Sequence, residues 1–559
     1  MSEDTFDYVI VGAGSAGCVL ANRLSASGKH TVLLLEAGGS DRHLWITVPL
    51  GIGKIRTDER FHWKFHTAPE PHMQQQRLYW PRGRVIGGSS SVNGMIFNRG
   101  QPADYDGWRD LGNTGWGFDD LLPYFKRLEH FPGGDPVWRG TDGPIHVTDL
   151  ASDPDPLSEA FIDASAQAGY ARVRDYNAGE NDEGTGYLQL NILNGRRVST
   201  ATAYLRPALK RSNLHILQHA LVHRVLFVGK RARGVEYERT GTRQVANARR
   251  EVILCAGTIQ SPQLLELSGI GNEQLLRCIG IPVVNHLPGV GENLQDHLQV
   301  RMVFECNKPL TLNAVLANPL RQWLMGLQYI TLRKGLMTTP SAKAFTNVKA
   351  DPEASRADVK IQLYMISGDR GQYSGSDLVI DHYWGFSLGH NQMRPRSRGS
   401  IHINSSDPHR APEIRANYLD DPFDRRTNIR ALRVMRTIAA QPALARYIVR
   451  ERRPGTEILN DEEILDYCRS VGHTSYHPAG TCKMGVDERA VVDPLLRVRG
   501  VERLRVVDAS VMPVLTSCNT NIPTIMIAEK AADLILNAEQ ASRLSPPLTV
   551  EASRQFTVS

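Results

Sequence analysis

The chain has 559 residues, 41% hydrophobic and 22% charged, enough to bury at least one large core and to form two unequal lobes, which excludes a small binding module. Its net charge of +6, from 65 basic and 59 acidic residues, is too dilute for a nucleic-acid footprint, and no apolar run approaches the ~18 residues needed to span a bilayer. Seven widely spread cysteines without a C-x-x-C pair signal neither a zinc site nor a disulfide framework; with acids near the N-terminus where a signal peptide carries bases, a cytoplasmic location is expected.

Short runs rich in Val, Ile and Leu alternate with helical patterns and Gly-rich turns, the pattern of an α/β protein. FDYVIV (6–11) predicts a first strand, and Gly12, Gly14 and Gly17 follow it directly as G-x-G-x-x-G. An apolar helical stripe, Ala16, Val19, Leu20 and Leu24, comes next, and then a second strand, TVLLLE (31–36). In this context Gly12 permits the tight turn, Gly14 lets backbone approach a pyrophosphate, and Gly17 lets the helix pack on the strand. The phosphates would sit at the helix N-terminus. Glu36 ends the second strand, 19 positions past Gly17, where a carboxylate accepts ribose hydroxyls and repels a 2′-phosphate. These features predict an ADP-containing cofactor, FAD or NAD.

Further along, PRGRVIGGSSSVNGMIFNRG (81–100) sets small polar residues around Asn93 and suits backbone laid against a flat ligand. EVILCAG (251–257) predicts another strand, entering the helical GTIQSPQLLELSGIG, and PGVGENLQDH (288–297) follows. From about 301 to 470 the pattern changes. DVKIQLYMI, SDLVIDHYWGF and GSIHINSS alternate, and ALRVMRTIAAQPALARYI is helical, which predicts a mixed, largely antiparallel sheet with helices behind it. Near the C-terminus come HPAGTCKMG (477–485), LRVVDAS (504–510) and NTNIPTIMIAEKAADLIL (519–536). The first domain is therefore assembled from distant pieces, expected at 1–150, 192–300 and 470–538. A second is expected at 151–191 and 301–469, and a surface tail at 539–559.

In order and spacing these segments resemble the glucose-methanol-choline family of FAD-dependent oxidoreductases, its choline-dehydrogenase-like branch in particular, from about residue 6 to about 538. The resemblance implies a discontinuous, doubly wound FAD domain with a substrate domain over the flavin. It also implies oxidation of a small alcohol, hydride passing to flavin N5 as a base takes the hydroxyl proton, with oxygen or a separate acceptor as the electron sink. Carried onto this chain, it implies an ADP site at Gly12, Gly14, Ser15, Ala16, Gly17, Glu36 and Ala37, and a loop against pyrophosphate and isoalloxazine at Gly87, Gly88, Asn93 and Gly94. It further implies an adenine contact at Val222, a C-terminal FAD contact at Asp508 and Ala509, and no metal. Some members attach FAD through a histidine in G-G-x-S-S-H-N. Here that position is Val92, so FAD is expected to bind non-covalently.

Alcohol oxidation needs a proton acceptor and a partner for the alkoxide-like oxygen, and histidine suits the first role because it is largely neutral at working pH. The family's catalytic pair maps onto His477 and Asn521, with N-capping of the last helix as a competing role for Asn521. His473 is read as packing nearby, and Cys482 as a small buried residue, since the reaction needs no thiol. Hydroxynitrile lyases, which resemble the family and keep FAD without using it for redox, are the alternative class; anaerobic bleaching by an alcohol separates the two.

Choline-active relatives carry a glutamate where the chain enters the substrate domain, and a quaternary ammonium calls for an aromatic cage. From Cys306 to Ala350 this chain has no Asp or Glu but has Lys308, Arg321, Arg333, Lys334, Lys343 and Lys349. An aryl, allylic or aliphatic primary alcohol is therefore expected rather than choline, with choline as the alternative. Trp45, Phe61 and Trp63 are candidates for a lid or for plain core.

Overall fold

The structure, a computed structural model, describes residues 4–179, 183–369 and 379–544. It is an α/β protein built on two large sheets. The parallel part of the first runs in the order Leu214–Leu217, Val32–Leu35, Asp4–Val11, Thr242–Leu254, Leu504–Val506. Helices and loops cover both faces of this part, so its strands read as unbroken apolar runs, Val32 to Leu35 being wholly buried. The antiparallel strands Ala220–Val228 and Arg231–Arg239 extend the sheet from the first half of Thr242–Leu254. That one strand thus serves the parallel and antiparallel parts together.

Between Asp4–Val11 and the helix Ser15–Ser25 the chain turns through Gly12 at φ +98°, a conformation that favours glycine. A Cβ on Gly17 would lie 1.9 Å from the Gly12 carbonyl oxygen, and one on Gly12 would lie 2.6 Å from that of Cys255. Both glycines are therefore required by the packing of helix, turn and neighbouring strand, whatever the ligand. The same helix packs against the last helix, Asn521–Leu544. Buried Glu529 ties them, accepting from Arg23 Nε and Nη2 at 2.9 and 2.7 Å and from Tyr204 OH at 2.7 Å. Removing either donor would leave a buried carboxylate short of partners, a costly loss.

The second sheet follows the order Ile448–Arg453, Leu298–Cys306, Gly385–Gln392, Val359–Tyr364, Ala342–Val348, Gly184–Tyr187. His473–Thr474 adds beside Leu298–Gln299. Every pairing among these strands is antiparallel, in keeping with the largely antiparallel sheet expected and without a parallel pair among them. The helices Pro156–Gln167 and Pro422–Ala439 cover one face. Alternation within DVKIQLYMI sends Ile361 and Leu363 into that core and turns Lys360, Gln362 and Tyr364 the other way. The last helix runs to Leu544, past the expected start of the tail at 539; the rest of that segment, 545–559, lies outside the described residues, as do 376–378 of SDLVIDHYWGF.

Candidate active site

A cavity of about 1100 Å³ lies between the two sheets. On one side it is bounded by the carboxyl ends of Asp4–Val11, Val32–Leu35 and Thr242–Leu254, the position at which open α/β sheets bind ligands. On the other it meets the antiparallel sheet at Gln299, Arg301, Gln362, Tyr364 and Asn391. Of the residues predicted from sequence, Gly12, Gly14, Ser15, Ala16, Glu36 and Ala37 line one end together with Val222. Gly88, Asn93 and Gly94 line the middle loop, and Asp508, Ala509, His477 and Asn521 line the rest. Gly17 and Gly87 stand behind the wall. Gly87 N–H donates to Ala13 O at 2.7 Å, bracing the loop on the first turn.

The first end fits a dinucleotide. Gly14 stands as N-cap of Ser15–Ser25 and supplies no capping side chain, so the first N–H groups of that helix are open to an anion. Glu36 accepts Ala13 N–H at 2.9 Å and Gly38 N–H at 2.8 Å, yet burial raises its carboxyl to about 7. Ribose hydroxyls are donors such a group lacks. Asp508 accepts Gly257 N–H at 2.9 Å, Ser261 OH at 2.6 Å and Ser510 N–H at 2.8 Å, fixing a second helix start beside the cavity. A Cβ on Gly94 or Gly257 would meet nothing within 4 Å, so there is free space beside both.

At the other end His477 lies in a linear chain of polar contacts. Its Nδ1 is 3.0 Å from His297 Nδ1, and His297 Nε2 is 3.0 Å from Met393 O. A carbonyl can only accept, so His297 carries its proton on Nε2 and offers Nδ1 as acceptor; His477 then carries its proton on Nδ1 and leaves Nε2 with a lone pair. Asn519 Nδ2 donates to that atom at 2.8 Å. Burial pulls both imidazoles down, His297 to about 4 and His477 well below 6.5, the latter pushed further by His297, Arg82 and Lys360. Buried Asp296 accepts His477 N–H at 2.8 Å and also the hydroxyls of Thr474 and Tyr418. The arrangement is a neutral base held in one tautomer, beside an amide donor.

Asn521 is not beside His477. As first residue of the last helix it accepts from Ser15 OH at 2.8 Å, joining two helix starts at the nucleotide end. Asn519, two residues earlier in the loop, takes the place expected of it. Reading from the sequence missed Asn519, Asp296 and His297. Asn-Thr-Asn offers two candidates, and only the one outside the helix is free to turn towards His477; the Asp-His at the end of PGVGENLQDH was the available signal for the other two.

His473 lies on the strand pairing with Gln299 and does not line the cavity, and Cys482 is fully buried with its thiol pushed far up by burial. Trp45 and Trp63 line the cavity, whereas Phe61 packs with Val92, Ile46 and Ile55 in a small apolar cluster. Among the described residues His223, Glu238 and His409 group donors that a metal could use, but Glu238 already sits 3.5 and 3.3 Å from the two imidazoles and the group is outside the cavity lining.

Comparison with known proteins bears on the family and the fold. GMC oxidoreductase sequence patterns match residues 6–299 and 395–528. The oxygen-dependent choline dehydrogenase of Photobacterium profundum is 44% identical over 97% of this chain and 95% of its own length. The mitochondrial choline dehydrogenase of Homo sapiens is 43% identical over 96% of this chain and 90% of its own. Among solved structures, pyridoxine 4-oxidase from Mesorbium loti superposes with TM-score 0.85 at 32% identity, covering 94% of this chain and 98% of that one. A formate oxidase variant of Aspergillus oryzae reaches TM-score 0.89 over 97% and 100% of the two chains at 24% identity, a likeness of fold alone.

The buried pair has a pH signature of its own. His297 titrates at about 4 when folded and near 6.5 when unfolded, so between those values the unfolded chain binds the extra proton. Stability present above 6.5 is therefore lost as pH falls towards 4, on the order of 3 kcal/mol from this residue. Urea midpoints measured from pH 7 to 4 should fall less steeply for His297→Asn than for the parent; parallel curves would mean His297 is not held neutral.

Proposed function

The chain belongs to the GMC oxidoreductase family and is an FAD-dependent alcohol oxidoreductase, and from that premise we propose that it oxidises an uncharged primary alcohol to the aldehyde with His477 as the base. When bound, FAD supplies the acceptor for the substrate's hydride. The alcohol hydroxyl displaces the Asn519 amide from the lone pair of His477 Nε2 and gives its proton there. Asn519 Nδ2, already aimed at the same point, donates to the alkoxide-like oxygen. His297 Nδ1 accepts from the other side of the ring and so stabilises the imidazolium that forms, while Asp296 holds the His477 backbone in position. Gly12, Gly14, Ser15, Ala16, Glu36, Ala37 and Val222 would hold the ADP portion, with Gly88, Asn93, Gly94, Asp508 and Ala509 along the remainder; Gly17 and Gly87 act through packing.

The lining near the base carries the reading against choline. Lys54, Arg56, Arg82 and Arg301 line the cavity, whereas the carboxylates among its described lining residues are Glu36 and Asp508, both on the nucleotide side. Three of its four Trp and Tyr rings carry cations of the chain itself: Arg301 lies 3.7 Å from the Tyr364 ring centre, Arg84 4.6 Å from Trp63 and Arg56 5.9 Å from Tyr476, which leaves Trp45. Gln299, at the strand's entry to the sheet, accepts from Arg301 and donates to Tyr364 and Asn391. A quaternary ammonium would meet like charge and, Trp45 apart, rings that already carry a cation. Choline remains the second reading, favoured by the relatives named choline dehydrogenase at 43 and 44% identity. The seven free cysteines, six of them buried, support a cytoplasmic location.

Three outcomes are expected. Acid precipitation should release the flavin to the supernatant, because Val92 cannot form the family's histidyl bond; yellow colour retained in the washed pellet would show a covalent link. In stopped-flow reduction by alcohol, His477→Ala should be slower by roughly 10²-fold and Asn519→Ala by about tenfold, the scale of one hydrogen bond. Asn521→Ala, once saturated with FAD, should stay near the parent rate; a larger loss there than in Asn519→Ala would reverse the assignment. Steady-state comparison of choline with benzyl, cinnamyl and hexyl alcohols, using oxygen and an artificial quinone, should give choline the lowest kcat/KM, and a value equal to or above the others would establish the second reading.

A further inference from the structure

The helix Pro319–Leu332 is turned inside out relative to an ordinary surface helix. Its inward face carries Gln322, Met325 and Gly326, which form part of the cavity wall, and buried Tyr329, whose OH donates to Gly195 O at 3.0 Å. Its outward face carries Leu320, Trp323, Leu324, Leu327 and Ile330, which are 63%, 62%, 49%, 42% and 71% exposed. At 3.6 residues per turn these five fall on one arc of about 120°. Among the described residues nothing covers that arc, and it is their densest group of exposed large apolar side chains.

Charge identifies what covers it. The segment from Cys306 to Ala350 holds no Asp or Glu, and exposed Arg321 and Lys334 stand on the helix and just past its end. An apolar stripe with Trp and Leu, in a segment whose charged side chains are all basic, matches the interface of a bilayer bearing anionic lipid. No helix of the described residues is long and apolar enough to cross a membrane, so this one lies on the surface. We infer that Pro319–Leu332 docks the enzyme on an anionic bilayer with the apolar arc in the lipid interface. The cavity then stands one helix diameter, on the order of 10 Å, from the membrane, and an acceptor or alcohol dissolved in lipid has a short route to it.

Flotation of the FAD-loaded full chain with vesicles tests this, comparing phosphatidylcholine containing phosphatidylglycerol with phosphatidylcholine alone. The parent should float with the anionic vesicles, and the double variant Trp323→Ser, Ile330→Ser should bind at least tenfold less while keeping its flavin and its oxidation of alcohol with a water-soluble acceptor. Arg321→Glu combined with Lys334→Glu, which leaves the apolar arc intact, should lose the preference for anionic vesicles. A parent that stays at the bottom of the gradient, or Ser variants that float as it does, overturns the inference. So does a parent that does not float and is a dimer that the Ser variants convert to monomer, since a second copy would then cover the face.

Discussion

The carbonyl oxygen of Met393 has no chemistry of its own, yet it determines the state of the proposed base, His477, two contacts away. By accepting from His297 it settles which nitrogen of that ring keeps the proton, and the choice passes through His297 Nδ1 to His477, whose outer nitrogen is left unprotonated and accepts from Asn519. A solvated imidazole would interchange tautomers freely; here the interchange would require a buried N–H to face another N–H or a carbonyl to face a lone pair. The low polarity that suppresses protonation of both rings also makes such a mismatch expensive. One buried acceptor thus keeps the base neutral and correctly oriented at the same time.

Around this chain the two sheets have separate duties. The parallel sheet supplies helix starts and short glycine turns, suited to backbone recognition of phosphate and ribose, and its requirements are steric: the contacts of Gly12 and Gly17 leave no room for a side chain. The antiparallel sheet supplies a row of side chains whose alternation points polar groups at the substrate and aliphatic ones at the helices behind. The ladder between His473–Thr474 and Leu298–Gln299 helps to fix the distance between the two histidines, because His297 immediately precedes one paired segment and His477 comes three residues after the other. Backbone register, rather than side-chain flexibility, sets the geometry of the base.

The nucleotide end was legible because each of its signals is local. A strand, a glycine turn, a helix and a terminal carboxylate follow one another within 36 residues, and their spacing alone carries the physics. The loop around Asn93 and the segment holding His477 were legible through family resemblance. What could not be read was which side chain meets which across the cavity. Asn519 and Asn521 have the same chemistry and sit two residues apart, and the decision between them is made by where the last helix begins. His297 lies 180 residues from His477, and nothing in local pattern joins them. The antiparallel character of the second sheet was legible from alternation, but the order of its strands was hidden, since strands drawn from 184 to 474 carry no local mark of their neighbours.

The interleaving of the first sheet bears on how the protein is made. Its strand at Leu504–Val506 is the last to be synthesised and lies beside one that ends 250 residues earlier, and Asp508, Asn519 and Asn521 follow it. A nascent chain that has exposed only its glycine turn and Glu36 therefore has a phosphate cradle without the wall that closes over it. Such high contact order means slow assembly, and the flavin site is complete only when nearly the whole chain has left the ribosome. Cofactor supply would thus act on a finished but still unsettled polypeptide, and flavin shortage in a producing cell would be felt as aggregation before it was felt as inactive enzyme.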